Sequence, residues 1–205
     1  MKIKSIFAAS VLTMTALLSS PVLASEQAVS FVQDKVAQML SILSDSSLNE
    51  AQKEDKFQQQ LLQTADVNVI ARFVLGKYAA KANAQELEKF SYAFQLYALS
   101  VYQSELSNFG SEVFEVKNSE ERRPGDSVVL TTISGGSMDG KSEEIKWRVL
   151  EIKGTPRVVD VEISGVWLSQ HQRAEITGII TKNGGDVSAA SKVLCARSSQ
   201  CHYNG

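Results

Sequence analysis

The chain has 205 residues, of which 43% are hydrophobic and 21% charged, with a formal net charge of -2. That length suits one domain with an ordinary core. The slight acidity argues against a nucleic-acid-binding face or a static hold on an anionic bilayer.

The first 24 residues read as an export leader. Lys2 and Lys4 precede the largely apolar, uncharged run Ile6–Leu18, and Val22-Leu23-Ala24 places small residues where a signal peptidase cuts. Cleavage is expected after Ala24. The apolar run is too short to span a bilayer comfortably, and no stop-transfer pattern follows it. No cysteine sits at the junction for lipid anchoring. A mature domain is expected over 25–195, followed by a polar tail over 196–205.

The chain then opens with helices. Val29, Val32, Val36, Leu40 and Leu43 recur at three- or four-residue spacing and predict a helix over Glu26–Leu43. Asn49 caps a second, mostly polar helix over Glu50–Gln63. Asp66 caps a third, Val67–Leu75, which Gly76 stops. Val67, Ile70, Phe73 and Val74 are expected on its inner side. Asn83 opens the longest helix, Ala84–Phe109, along which Leu87, Phe90, Phe94, Tyr97 and Val101 form an aromatic-rich stripe.

From Ser111 the period falls to two. Strands are expected at Glu112–Asn118, Ser127–Ser134, Ser142–Ile152 and Arg157–Val166, separated by glycine- and proline-bearing turns. Ile145, Trp147 and Val149 share one face of the third strand. Val159, Val161 and Ile163 share one face of the fourth. Lys146 and Arg148 are expected to pair with Asp160 and Glu162 across the polar face. Helices return at Leu168–Thr181 and, behind an Asp186 cap, at Val187–Leu194. The pattern is α+β: helices packed against a strongly twisted antiparallel sheet.

Enzymatic chemistry is scarce. The two histidines, His171 and His202, lack zinc-ligand spacing. There is neither a GxSxG elbow nor a phosphate-cradling glycine loop. No catalytic group, metal or cofactor is therefore expected. Cys195 and Cys201 would close a short disulfide loop in an oxidising compartment, or remain thiols in a frayed end.

Specific motifs resemble the MlaC/Ttg2D (toluene-tolerance) family. Asp66-Val67 followed by Ala71-Arg72-Phe73-Val74-Leu75-Gly76-Lys77-Tyr78 is similar to a signature of that family, and Phe90, Phe94 and Tyr97 fit its next helix. Trp147-Arg148-Val149 and Asp160-Val161-Glu162-Ile163-Ser164-Gly165-Val166 resemble its strands. Arg173, Gly184-Gly185 and Leu194 fit its closing segment. Departures fall at Ala79-Ala80, Thr155-Pro156-Arg157, Trp167 and the two-cysteine tail.

The resemblance implies a periplasmic phospholipid-binding protein of Gram-negative bacteria that assists an ABC transporter in lipid transport and maintains outer-membrane lipid asymmetry. It implies two partners: an outer-membrane lipoprotein complex (MlaA-like) and an inner-membrane complex bearing an MCE-domain protein (MlaD-like). It also implies an apolar cavity between helices and sheet. Candidate lipid-binding residues are Phe73, Val74, Tyr78, Phe90, Phe94, Tyr97, Val101, Trp147, Val149, Val161 and Ile163, with Val166 and Trp167 at the mouth. The same residues could instead be packing in a filled core, as in an adaptor without ligand. They could also surround the active site of a cone-shaped isomerase or hydratase using one carboxylate or tyrosine.

Overall fold

The computed structural model describes residues 21–106, 111–198 and 201. Most of the expected leader, the last residues of the expected long helix and most of the tail lie outside the described residues. The helices are α1 (Pro21–Ser44), α2 (Glu50–Thr64), α3 (Val67–Leu75), α4 (Ala84–Leu106), α5 (Leu168–Lys182) and α6 (Val187–Ala196). Between α4 and α5 run β1 (Glu112–Arg123), β2 (Asp126–Gly135), β3 (Ser142–Ile152), β4 (Thr155–Ile163) and β5 (Val166–Trp167). They form one antiparallel meander in the order β1-β2-β3-β4-β5.

Local chemistry sets most helix starts. At α2 the Asn49 side chain accepts from the Gln52 N–H while the Gln52 side chain accepts from the Asn49 N–H, a reciprocal cap. Asn83 and Glu86 repeat that arrangement at α4. Asp66 accepts from the Val69 N–H at 3.0 Å, and Asp186 accepts from the Ser188 N–H at 2.8 Å. Gly76 ends α3 with a φ of 56°, a conformation side chains resist. A Cβ there would also meet Arg173 Nε at 2.8 Å.

The strands differ from the sequence pattern in two places. β1 continues to Arg123 although Ser119–Arg122 has no apolar alternation, because its backbone pairs with β2 up to the Gly125 turn. In β4, Arg148 stands opposite Asp160 but Val149 stands opposite Val158, so Val159 is an extra residue in a bulge. The expectation that Val159 shares a face with Val161 and Ile163 is therefore corrected. Val158 takes that place, and the bulge puts it in phase with Val161 across from Val149 and Trp147.

Two apolar clusters result. In one, α1 lies across β1 and β2, and Ala28, Val32 and Val36 meet Val129, Val149 and Val158. In the other, α3, α4, α5 and α6 enclose Phe90, Leu75, Ile176, Ile180 and Leu194, all fully buried. The link between α2 and α3 stitches the two together. Ala65 makes a parallel bridge to Val158, and the Asp66 N–H donates to the Val158 carbonyl at 3.0 Å. Arg157 adds a hydrogen bond to the Gln63 carbonyl.

Candidate functional site

The helical layer begins at α3, where Val74 is fully buried and Phe73, the residue before it, is 38% exposed. Phe73 thus lies off the inner side on which the sequence placed it. The Arg173 guanidinium of α5 covers its ring at 5.1 Å. Tyr78 is buried, and its hydroxyl meets Thr181 Oγ1 at 2.9 Å, which pins the turn after α3 to α5. On α4, Phe90 and Phe94 stack with centroids 6.0 Å apart. Tyr97 packs against the same cluster, with Arg197 over its ring at 6.0 Å. Val101, one turn further, is 46% exposed.

The sheet wall belongs to the other cluster. Val149 is buried there, with Trp147 and Val161 packed against it. The Trp147 indole donates to Thr131 Oγ1 at 2.9 Å, and Phe114 meets its ring edge-on at 6.5 Å. Ile163 is half-buried near the end of this face. Val166 is 49% exposed and Trp167 half-buried, both in β5 just before α5. The structure therefore divides the candidate residues between two layers rather than gathering them in one cluster.

Charge is concentrated on the opposite face of the sheet. Arg148 grips Asp126 through two hydrogen bonds of 2.9 Å, and Arg123 adds a third at 3.1 Å. The Arg148 hydrogen bond holds the Asp126 carboxyl below its usual range, against the opposing effect of burial. Lys146 pairs with Glu162 at 2.5 Å as expected across β3 and β4. The expected pairing of Arg148 with Asp160 is corrected: Asp126 on β2 takes the arginine. Asp160 instead receives the Ser169 N–H at 3.1 Å and the Ser169 hydroxyl, fixing the start of α5. At the end of the sheet an open depression of about 600 Å³ is lined by Lys141, Glu143, Glu144, Lys146 and Glu162 among others. None of the apolar candidates lines it.

Sequence reasoning passed over several buried residues of the helical wall: Ala71, Leu75, Ile176, Ile180 and Ala190. The recurrence of Ser169, Ile176 and Ile180 along α5 carried that signal, and Gln172 falls in the same phase. Cys195 and Cys201 are joined in a disulfide, and Cys201 packs against the helical cluster. Among the described residues no group of three or more histidine, cysteine, aspartate or glutamate side chains is placed to hold a metal ion. Both Asp126 carboxylate oxygens are taken up by the arginine contacts.

A helical layer stitched to an antiparallel meander, with apolar side chains on both, defines a class of α+β binding scaffold. Within that class, the profile of the MlaC protein family matches residues 33–193, spanning both layers, and the chain belongs to that family. Its members are non-catalytic lipid carriers, and the chain is not an enzyme. A similar solved structure is the phospholipid-binding protein from Ralstonia solanacearum in complex with a phospholipid. The TM-score is 0.75 at 22% identity, covering 84% of this chain and 97% of that one, a likeness of fold. No curated protein matches the sequence.

Proposed function

We propose that the protein is a periplasmic carrier that holds the acyl chains of a glycerophospholipid between the helical layer and the sheet. It would exchange that lipid with an outer-membrane lipoprotein complex (MlaA-like) and an inner-membrane MCE-domain and ABC transporter complex (MlaD-like), maintaining outer-membrane asymmetry. Membership of the MlaC family over both layers carries the reading. Exposed apolar side chains on both layers, Phe73 and Val101 on the helices and Val166 beside the sheet, support it. The leader-like N-terminus and the disulfide suit an oxidising exported compartment.

The energetics fit a shuttle. Two acyl chains present roughly 30 methylenes, worth about 24 kcal/mol against water at about 0.8 kcal/mol each. Against a bilayer that gain nearly cancels, since the lipid starts in hydrocarbon. An apolar chamber therefore retains lipid in water yet releases it where a membrane complex offers an alternative. The direction of net transport then falls to the partners.

The deciding experiment is extraction of protein purified without detergent, followed by mass spectrometry. Phospholipid in near-stoichiometric amount is expected. Its repeated absence would sink the carrier reading and favour an adaptor with a filled interior.

A further inference from the structure

The net charge of -2 conceals an uneven distribution. Between Asp66 and Glu86 the chain carries three cations, Arg72, Lys77 and Lys81, and no acid. The fold adds two more from α5. The Arg173 guanidinium lies over the Phe73 ring at 5.1 Å and fills the space beside Gly76. The Tyr78 hydroxyl, 2.9 Å from Thr181 Oγ1, ties the turn that holds Lys77 and Lys81 to the end of α5, where Lys182 follows. All five cations are exposed, and none forms an ion pair among the described residues. The neighbouring acids are engaged elsewhere: Asp66, Glu86 and Asp186 cap helices, and Glu175 holds Arg197 at 2.5 Å.

The same face carries apolar surface. Val69, Arg72, Phe73 and Gly76 fall at helical spacing on one side of α3, and Phe73 is 38% exposed there. A partly open phenylalanine beside unpaired cations suits an anionic bilayer: the ring enters the headgroup layer while the cations meet phosphates. Three of the five cations are lysines, which protein interfaces deplete and membrane-facing patches favour.

We propose that the α3–α5 face is a docking surface for an anionic lipid bilayer, on which the protein rests reversibly through Arg72, Lys77, Lys81, Arg173 and Lys182. Attraction at this face is local, so it coexists with a net negative chain and orients the molecule as it holds it. Each cation adds about 5-fold to partitioning near an anionic surface, and salt screens the effect. The proposal goes beyond the carrier reading and does not depend on it, because docking needs no bound lipid.

The test sediments the mature protein with vesicles of phosphatidylcholine containing phosphatidylglycerol, and with vesicles of phosphatidylcholine alone, at low and high salt. At low salt the protein should pellet with the anionic vesicles only, and it should be released as salt rises. The double variant Lys77→Gln/Lys81→Gln should lower the partition coefficient by about 10- to 30-fold. Lys141→Gln/Lys153→Gln removes the same charge from turns of the sheet and should change it by less than about 3-fold, through screened long-range repulsion alone. All four lysines are exposed, so both variants should melt with wild type.

Equal pelleting with both kinds of vesicle would overturn the proposal. So would an equal loss in the two double variants, or binding unchanged in Lys77→Gln/Lys81→Gln, since net charge or another face would then be responsible. No sedimentation with anionic vesicles at low salt would also overturn it and assign these cations to an acidic protein surface. None of these outcomes touches the carrier reading, which stands or falls on lipid extraction.

Discussion

Asp126 is held by two arginines, Arg148 from β3 and Arg123 from the end of β1, and is itself only 3% exposed. Asp126→Asn should cost about 2 kcal/mol, the scale of hydrogen bonds to a charged group, measured by urea unfolding at neutral pH. Its lowered pKa gives the sign of the pH effect. The contribution is complete above the ordinary carboxylate range and is lost as pH falls through the lowered value. The gap between wild type and Asp126→Asn should therefore narrow below about pH 4. No gap at neutral pH would mean the pair adds nothing. Two phenylalanines make a second contrast. Phe90 is fully buried, so Phe90→Ala should cost about 3–5 kcal/mol. Phe73 is partly open and covered by Arg173, so Phe73→Asp should cost about 1 kcal/mol or less. Under the carrier reading it should nonetheless lower the lipid retained after purification. Unchanged lipid content would remove Phe73 from the chamber wall.

At the scale of elements, α3 depends most on its end. Gly76 has a positive φ and Arg173 occupies the space a Cβ would need. Gly76→Ala should destabilise by about 1–3 kcal/mol, read as a lower denaturant midpoint with an unchanged slope. An unchanged midpoint would show that the turn and the guanidinium can both move. Features of this kind were legible in the sequence because they are local. Asn49, Asp66, Asn83 and Asp186 cap where short-range chemistry says they should, and β3 runs over the residues its alternation marks. The bulge at Val159 was not legible, since an extra residue is defined only against the partner strand. Arg148 had two acidic choices, and only the three-dimensional register gives it Asp126.

For the whole molecule, the aromatic stripe of α4 marked one apolar layer and the alternation of β3 another, but their assignment to separate clusters depends on where α1 lies. Nothing in the periodicity of α1 says that it covers the sheet rather than joining the other helices. Gln172 is illegible for the same reason: nothing in the sequence says that one end of a half-buried helical glutamine, its Oε1, is covered. The Cys195–Cys201 link acts at the periphery of the helical layer. Replacing both cysteines with serine should cost about 2 kcal/mol or less, because the closed loop is short. Thermal unfolding with and without reductant checks this: wild type should shift and the double variant should not.

The stitch between Ala65 and Val158 has one more consequence. Sheets polymerise when both outer strands can accept a neighbour, and here the two sides are guarded differently. On the β4 side, Ala65–Asp66 covers one stretch and β5 another, so the chain fills its own vacancy. On the β1 side the strand carries Glu115, Lys117, Glu120 and Arg122, and its register slips twice. Charge and irregular spacing both discourage an incoming strand. Colloidal stability is therefore built into the meander by its own two edges.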